Sequence, residues 1–231
     1  MNMLVIEMST AQASLALFRE QECIAERAWH QKEEPGQHLW TLLPELLAEA
    51  NASPESLDLL ACGRGPGGYA SLRIGLTAAQ GLALPGGREL YTVSSGEALA
   101  RAEARRHEPD TFEMAIVGDA RRESVWIGRF TARDGRVDPE SSWEVLPLDQ
   151  LASGLPVRGR VFSPDWSTLR DRLPREATEV ASWTPEDRFP RARDVGRAVL
   201  DRRESRIVSE PAVPLYLHPA VRPASRQTPK R

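Results

Sequence analysis

The chain has 231 residues, of which 41% are hydrophobic, and a formal net charge of −3. Its mean hydropathy is −0.42, and no apolar stretch reaches the roughly 18 residues that a membrane helix requires. These values are typical of a soluble protein with one large or two small domains; they exclude a strong overall attraction to nucleic acid, and we expect a cytoplasmic location.

The sequence begins with a predicted antiparallel meander of three strands. Apolar runs with alternating character indicate these strands at residues 3–6, 13–18 and 23–29. A stripe of leucines then predicts a helix over 37–50. Pro44 lies inside this helix and should cause a kink or a break at Leu43.

The next elements alternate between strand and helix. An apolar strand ends at Cys62, and a glycine-rich turn leads into a second helix over 72–84. A short strand over 90–93 precedes a third helix, which Ser94 or Ser95 can cap through a side-chain oxygen. This alternation is typical of a mixed α/β sheet.

The second half of the chain repeats this order of elements. Its predicted strands are 112–117, 124–130, 142–146, 160–163 and 178–181, and its predicted helices are 166–173 and 191–203. In both halves a first strand ends at an acid, Glu7 or Asp119, and a polar turn leads into a return strand. This internal repeat fits a duplicated actin-like, sugar-kinase-like (ASKHA) fold, in which each domain is a mixed sheet with a meander and flanking helices.

We therefore expect three segments: an N-terminal actin-like subdomain, a smaller second one and a C-terminal tail, at residues 1–107, 108–204 and 205–231. The tail has five prolines and five basic residues, with Glu210 as its single acid, so its charge is +4. We interpret it as an extended, solvated terminus. Contact with RNA or with an acidic partner is the alternative.

A glycine-rich loop separates the strand that ends at Cys62 from the second helix. It contains Gly63, Gly65, Pro66, Gly67 and Gly68. Its spacing formally matches a dinucleotide-binding fingerprint, but Pro66 removes one amide that would face a phosphate, and the loop follows a meander rather than opening the first βαβ unit. The loop is therefore interpreted as the tight start of a helix that docks on a partner.

The second helix is apolar on more than one side, which predicts burial on more than one side. One side can cover the sheet, and the other is rich in small residues and suits a partner helix; burial wholly within the monomer is the alternative. Trp40 lies off the leucine stripe of the first helix, which favours an interface. The predicted partner-interface residues are His38, Trp40, Leu42, Leu43, Leu72, Gly75, Leu76, Ala78, Ala79 and Leu82. Gly75→Trp or Ala79→Arg should then break association with the partner and leave the monomer folded.

No catalytic, metal-binding or cofactor-binding set is identified. The turns after Glu7 and Asp119 lack the glycines that grip a phosphate in actin-like ATPases, and the four histidines are scattered. Asp119 and Glu123 could do acid–base work, but capping of the turn is the stronger interpretation. Cys23 and Cys62 are expected to be buried free thiols. We expect no enzymatic activity of the chain alone; the rival hypothesis is a stand-alone actin-like kinase or ATPase.

Several segments, in order along the chain, resemble motifs of the TsaB (YeaZ) family. Residues 63–75 resemble that family's GRGPGSFTGLRIG, 93–100 its VSSLEALA, 119–126 its DARRGEVY and 214–217 its PxYL; a helix motif at 37–44 also matches. Glu7-Met8 departs from the usual Asp-Thr, Gly68-Tyr69-Ala70-Ser71 from Ser-Phe-Thr-Gly, and His218 from an Arg.

The resemblance implies an actin-like fold with a degenerate nucleotide site, so that a nucleotide would bind only at a surface shared with partners. It implies a scaffold that forms a heterodimer with TsaD, the metal-holding subunit that transfers threonylcarbamoyl to the adenosine next to the anticodon of tRNA. It further implies the ATPase TsaE as a third component and a homodimer when TsaD is absent. Contact with tRNA would be indirect or through the basic tail.

Overall fold

The computed structural model describes residues 1–31 and 36–217, which form two mixed β-sheets with helices on their faces. The first sheet contains β1 (Asn2–Glu7), β2 (Gln12–Arg19), β3 (Glu22–His30), β4 (Leu59–Gly63) and β5 (Glu89–Val93). Its strand order is β3-β2-β1-β4-β5. Strands β1 to β3 are the predicted antiparallel meander, whereas β4 and β5 run parallel to β1.

The second sheet repeats this plan. Its strands are β6 (Phe112–Arg121), β7 (Ser124–Arg133), β8 (Arg136–Pro139), β9 (Glu144–Pro147), β10 (Arg160–Ser163) and β11 (Ser182–Asp187). The order is β11-β10-β6-β7-β8, and β9 also pairs with β7. Because each sheet joins an antiparallel meander to two further parallel strands on the other side of its first strand, the predicted duplication is confirmed.

The helices of the described chain are α1 (Gln37–Glu49), α2 (Tyr69–Ala83), α3 (Ser95–Arg106), α4 (Leu151–Gly154), α5 (Trp166–Leu169), α6 (Arg175–Val180) and α7 (Ala192–Glu204). Helix α1 continues through Pro44, so the predicted break at Leu43 is wrong. Ser94 caps α3 as predicted, since its Oγ accepts a hydrogen bond from the Glu97 amide at 3.3 Å.

One predicted strand is a helix in the structure. Residues 178–181 fall mostly within α6, and the strand begins only at Ser182. The β-branched Thr178 and Val180 favour a strand locally, but tertiary packing overrides this preference. Ala177 of α6 is fully buried, and its carbonyl accepts a hydrogen bond from Trp183 Nε1 at 2.9 Å.

Three helices enclose the first sheet. Helices α1 and α2 cover one face, where Leu39, Leu46 and Leu76 pack with Leu4 and Leu15. Helix α7 covers the opposite face. A Cβ atom on Gly196 of this helix would overlap the Phe18 ring, which shows how closely helix and sheet approach.

The position of α7 bears on the expected division of the chain. The boundary at residues 107 and 108 would group α7 with the second sheet, whereas the buried Val195 and Val199 pack against the first sheet. The amide of Ala192 also donates to Ser14 Oγ in β2 at 2.8 Å. Helix α3 contacts both α7 and strands of the second sheet. The division into subdomains stays a prediction, with α7 belonging to the core of the first sheet.

The described part of the predicted tail is attached to the first sheet. We call residues 207–217 the C-terminal strap. The Glu210 amide donates to the Thr92 carbonyl at 3.2 Å, and the Leu215 amide donates to the Arg64 carbonyl at 2.8 Å. The strap therefore covers the free edge of β5. It is extended and several of its side chains are exposed, such as Val208 and Val213, but its backbone is attached to the sheet. Residues 218–231, with most of the tail's basic groups, lie outside the described residues.

Both cysteines are free thiols, as expected. Cys62 is buried, whereas Cys23 is only half-buried. Within residues 1–31 and 36–217, no helix is both long enough and apolar enough to cross a membrane.

Candidate functional site

The glycine-rich loop packs against the turn that joins β1 and β2. The Gly68 amide donates to the Ser9 carbonyl at 2.7 Å. A Cβ atom on Gly67 would overlap that same carbonyl oxygen, and a Cβ atom on Gly63 would overlap Glu7 Oε2. The close approach that these glycines permit is therefore to the chain's own turn.

The loop amides are already used within the chain. The Arg64 amide donates to the Val93 carbonyl at 3.0 Å, the Gly65 amide donates to Ser95 Oγ at 3.0 Å, and Pro66 has no amide hydrogen. Since the Gly68 amide is also paired, these amides do not form an anion-binding cradle of the kind found at phosphate sites. The geometry supports the interpretation of the loop as a tight start of α2.

The β1–β2 turn is equally closed. Glu7 is fully buried; one of its carboxylate oxygens accepts the Ser9 amide at 2.6 Å, and burial raises the pKa of this carboxyl. Gln31 Nε2 donates to the Thr10 carbonyl at 2.8 Å and to the Met8 carbonyl at 3.3 Å. The Ser9 amide and the Thr10 and Met8 carbonyls of the turn are thus paired within the chain, whereas Glu7 Oε2 and Ser9 Oγ are buried without a hydrogen-bond partner among the described residues.

The corresponding turn of the second sheet is held by ion pairs. Asp119 Oδ1 accepts the Arg121 amide at 2.9 Å, and Asp119 Oδ2 lies 3.6 Å from both the Arg121 and the Arg172 guanidinium groups. Glu123 pairs with Arg172 at 3.2 Å. These contacts support turn capping over acid–base work. Among the described residues, no group of three or more His, Cys, Asp or Glu side chains could hold a metal ion.

An apolar groove lies across the outer face of α1 and α2. It has a volume of about 630 Å³ and is lined by Trp40, Arg73, Ile74, Thr77, Ala78, Gly81 and Leu82. The Trp40 side chain is 56% exposed. An exposed tryptophan beside small residues is the composition of a protein-binding hot spot, because an aromatic anchor there can enter a well-packed interface.

The predicted interface residues divide into two groups. His38 and Trp40 are exposed, and Leu42 and Leu82 are half-buried. The other six are buried in the chain: Leu43, Leu72, Gly75, Leu76, Ala78 and Ala79; of these, Ala78 also lines the groove. The sequence pattern did not separate the groups because α2 is apolar on both its sheet-facing and its outer side.

Gly75 and Ala79 are core positions rather than contact positions. Ala79 has no exposed surface, and a Cβ atom on Gly75 would lie 3.3 Å from the Cβ atom of Met8. A large side chain at either position would press into a close-packed interior. The expectation that such variants block a partner while the monomer stays folded is therefore replaced by an expectation of unfolding.

The residue pattern did not reveal an aromatic cluster at the end of the groove. The Tyr69 and Tyr216 rings stack with their centroids 4.9 Å apart, and the Arg73 guanidinium lies 4.2 Å above the Tyr69 ring. Arg73 Nε donates to the Tyr216 hydroxyl at 2.8 Å. The i, i+4 spacing of Tyr69 and Arg73 was a signal in the sequence, but nothing local indicated that Tyr216 would join them.

Comparisons with known proteins agree with this architecture. A family model described as "TsaD: tRNA N6-adenosine threonylcarbamoyltransferase" matches residues 30–156. The "tRNA threonylcarbamoyladenosine biosynthesis protein TsaB" of Escherichia coli (strain K12) is 32% identical over 172 residues, which are 73% of this chain and 71% of that protein. The solved structure "YeaZ from Pseudomonas aeruginosa" superposes with a TM-score of 0.77 at 26% identity and covers 94% of this chain and 99% of that one.

Two other curated proteins with the same TsaB name match over shorter lengths. That of Bacillus subtilis (strain 168) is 30% identical over 138 residues, which are 60% of this chain and 58% of that protein. That of Haemophilus influenzae is 28% identical over 160 residues, which are 66% of this chain and 64% of that protein. The matched region thus spans about three fifths of the length of these two relatives.

The two duplicated sheets, their strand order and the family match define a protein with the actin-like, sugar-kinase-like α/β fold. The amides of its glycine-rich loop and of the β1–β2 turn pair within the chain, and an apolar groove lies on α1 and α2. The chain belongs to the TsaB (YeaZ) family.

Proposed function

We propose that this chain is a non-catalytic subunit of the cytoplasmic machinery that makes threonylcarbamoyladenosine in tRNA. It forms a heterodimer with TsaD and supports the transfer of threonylcarbamoyl to the adenosine next to the anticodon. Membership of the TsaB family supports a role in this tRNA modification, since the named relatives of the chain are tRNA threonylcarbamoyladenosine biosynthesis proteins. Residues 30–156 match a TsaD family model, so that this chain and its proposed partner are of related fold.

The groove on α1 and α2 is the observation on which the docking proposal rests. A helix of TsaD would enter between Trp40 and Leu82, where small residues such as Ala78 and Gly81 allow close approach of two backbones. The same groove would join two copies of this chain when TsaD is absent. TsaE would bind the resulting pair as a third component.

The proposed lack of catalysis is supported by the internal pairing of both turns. The Ser9 amide is taken by Glu7, and Asp119 is taken by Arg121 and Arg172. A nucleotide therefore has no prepared phosphate site in these turns and would bind only at a surface shared with partners. In this proposal tRNA is reached through TsaD or through the basic segment 218–231.

Co-expression with the cognate TsaD, followed by size-exclusion chromatography with light scattering, tests the docking proposal. We expect a 1:1 complex that is lost in Trp40→Glu and retained in Val157→Glu. Val157 is a matched control because it is an apolar residue that is 72% exposed and lies outside the groove. Separate elution of the wild-type chains would contradict the proposal.

A second measurement separates the scaffold from a stand-alone ATPase. Purified protein without TsaD is incubated with ATP and magnesium, and phosphate release is followed. We expect no turnover above background, because the Ser9 and Gly68 amides and the Asp119 carboxylate are already paired within the chain. Robust hydrolysis that is lost in Glu7→Gln and Asp119→Asn would support the rival function instead.

A further inference from the structure

Arg73 presents a positive charge at the end of the apolar groove. It is the single charged residue among the groove-lining side chains, and it is exposed. Within residues 1–31 and 36–217, its hydrogen-bond and ring partners are Tyr69 and Tyr216, and no carboxylate pairs with it. A cation stacked on tyrosine rings keeps its full charge, and its terminal nitrogens stay available to a further acceptor.

The C-terminal strap holds this charge in place. Tyr216 belongs to the strap, and its hydroxyl accepts the Arg73 Nε hydrogen at 2.8 Å. Arg64 Nε donates to the Val213 carbonyl at 3.0 Å, and Gln80 Nε2 of α2 donates to the Ala212 carbonyl at 3.0 Å. These hydrogen bonds attach the strap to Arg64 of the glycine-rich loop and to α2. Because Tyr216 is thereby held in place, it limits the rotamers available to Arg73.

Any protein that covers the groove removes water from this guanidinium. An arginine that is buried without an anion loses its hydration and gains nothing in return, which is a large penalty. A planar guanidinium with a fixed orientation favours a carboxylate, because the two groups can form paired hydrogen bonds. The occupant of the groove must therefore bring an acid to this point.

A second copy of this chain supplies that acid poorly. Helix α2 contains no Asp or Glu, and a two-fold contact centred on it brings a second Arg73 into the same interface. On α1, Glu49 already pairs with Arg27, which leaves Glu45 as the one exposed α1 carboxylate that a second copy could bring. The two Arg73 charges thus disfavour a two-fold contact centred on α2.

We propose that Arg73, positioned by Tyr216 of the strap, is the specificity-determining residue of the docking surface, and that it recognises an Asp or Glu side chain on the partner. The inference rests on the proposed function, since it takes TsaD as the partner and names the chemistry by which it is selected. The carboxylate lies on the partner element that enters beside Trp40, and it pairs with the terminal nitrogens of Arg73.

Isothermal titration of the cognate TsaD tests this assignment. Arg73→Gln removes the charge and leaves a shorter polar side chain, and we expect a loss of affinity of about tenfold or more. Arg197→Gln is the control, because it makes the same chemical change at an exposed position of α7, outside the groove; its affinity should stay within about twofold of wild type. Tyr216→Phe keeps the ring stack and removes the hydroxyl, so an intermediate loss is expected.

The same variants should affect self-association in the opposite direction. Light scattering of the chain alone should show a stronger homodimer for Arg73→Gln, because the like charges are gone. Charge reversal completes the test: Arg73→Glu should abolish TsaD binding, and one acid→Arg variant in a panel of TsaD surface carboxylates should restore it.

The outcomes separate the two proposals. If the wild-type chain fails to bind TsaD, the proposed function fails. If the wild-type chain and Arg73→Gln bind TsaD equally, the partner holds but the carboxylate assignment is wrong.

Discussion

The Glu7 carboxylate occupies the space that a side chain on Gly63 would need. A Cβ atom on Gly63 would overlap Glu7 Oε2 and lie 2.6 Å from Ser95 Oγ. Glu7 ends β1 and Gly63 ends β4, so the carboxylate is enclosed at the carboxyl ends of two parallel neighbouring strands. In open α/β sheets this edge is the usual place for a ligand. Here a side chain of the protein fills it.

Gly63→Ala should lower the free energy of unfolding by about 2–3 kcal/mol, because the added methyl group overpacks a closed interior. Gly81→Ala is the matched control: nothing lies within 4 Å of a Cβ atom at that position. Inside helix α2 it should raise stability by about 0.5–1 kcal/mol. Urea denaturation followed by circular dichroism measures both. Equal stability of Gly63→Ala and wild type would contradict the close packing of the Glu7 carboxylate against Gly63.

Asp194 makes a contribution to the free energy of unfolding that falls as pH rises. This side chain is 6% exposed, and burial raises its pKa from 3.8 to about 6. The folded state therefore holds a proton that the unfolded state releases, so the contribution of this residue to stability is greatest below about pH 4 and declines as pH rises to about 6. Since one pKa unit corresponds to about 1.4 kcal/mol, the decline from this residue amounts to about 2–3 kcal/mol.

Asp194→Asn should remove that decline. At pH 7.5 the variant should be more stable than wild type by up to about 2 kcal/mol, with a smaller difference at pH 4. Asp138→Asn, an exposed change on β8, should leave the pH profile unchanged. Urea melts at the two pH values provide the comparison, and a parallel profile for Asp194→Asn and wild type would refute the assignment.

Residues 1–107 should not form a stable domain. Without α7 the fragment leaves Met3, Val5, Phe18 and Tyr91 on an uncovered face of the first sheet. We expect strong binding of a hydrophobic dye and no cooperative unfolding transition. Addition of a synthetic peptide of residues 189–207 should restore cooperativity. A cooperative transition of the fragment alone would instead favour the division at residues 107 and 108.

Truncation after Leu217 tests the basic segment 218–231. This segment has four basic residues and no acid, so its removal should weaken binding of tRNA to the TsaD complex and reduce the salt dependence of binding by up to about three counterions. Thermal stability should not change, because the strap is retained. A variant truncated after Glu204 also loses the strap and should melt at lower temperature. Unchanged tRNA affinity after Leu217 truncation would leave the segment without a role in RNA contact.

The sequence was informative where one local signal determined the structure. The meander, the duplicated order of elements and the Ser94 cap followed from periodicity and capping chemistry. The docking residues were only partly predictable, since Leu72 and Ala79 are buried while the neighbouring Ala78 also lines the groove, and small apolar residues look alike on both sides of a helix. The Tyr216–Arg73 contact spans 143 positions along the chain, and no local pattern encodes it.

The return of α7 to the first sheet also sets the order in which the protein can fold during synthesis. The face formed by Val5, Phe18 and Val93 is made early, but its cover, Val195 and Val199, is translated roughly a hundred residues later. Until α7 has been synthesised, no helix covers this apolar surface. Exposed apolar surface of this kind binds chaperones and promotes aggregation. The second sheet, by contrast, has its own helices α4, α5 and α6 close by in sequence. The half that is synthesised first is thus the half that is completed last.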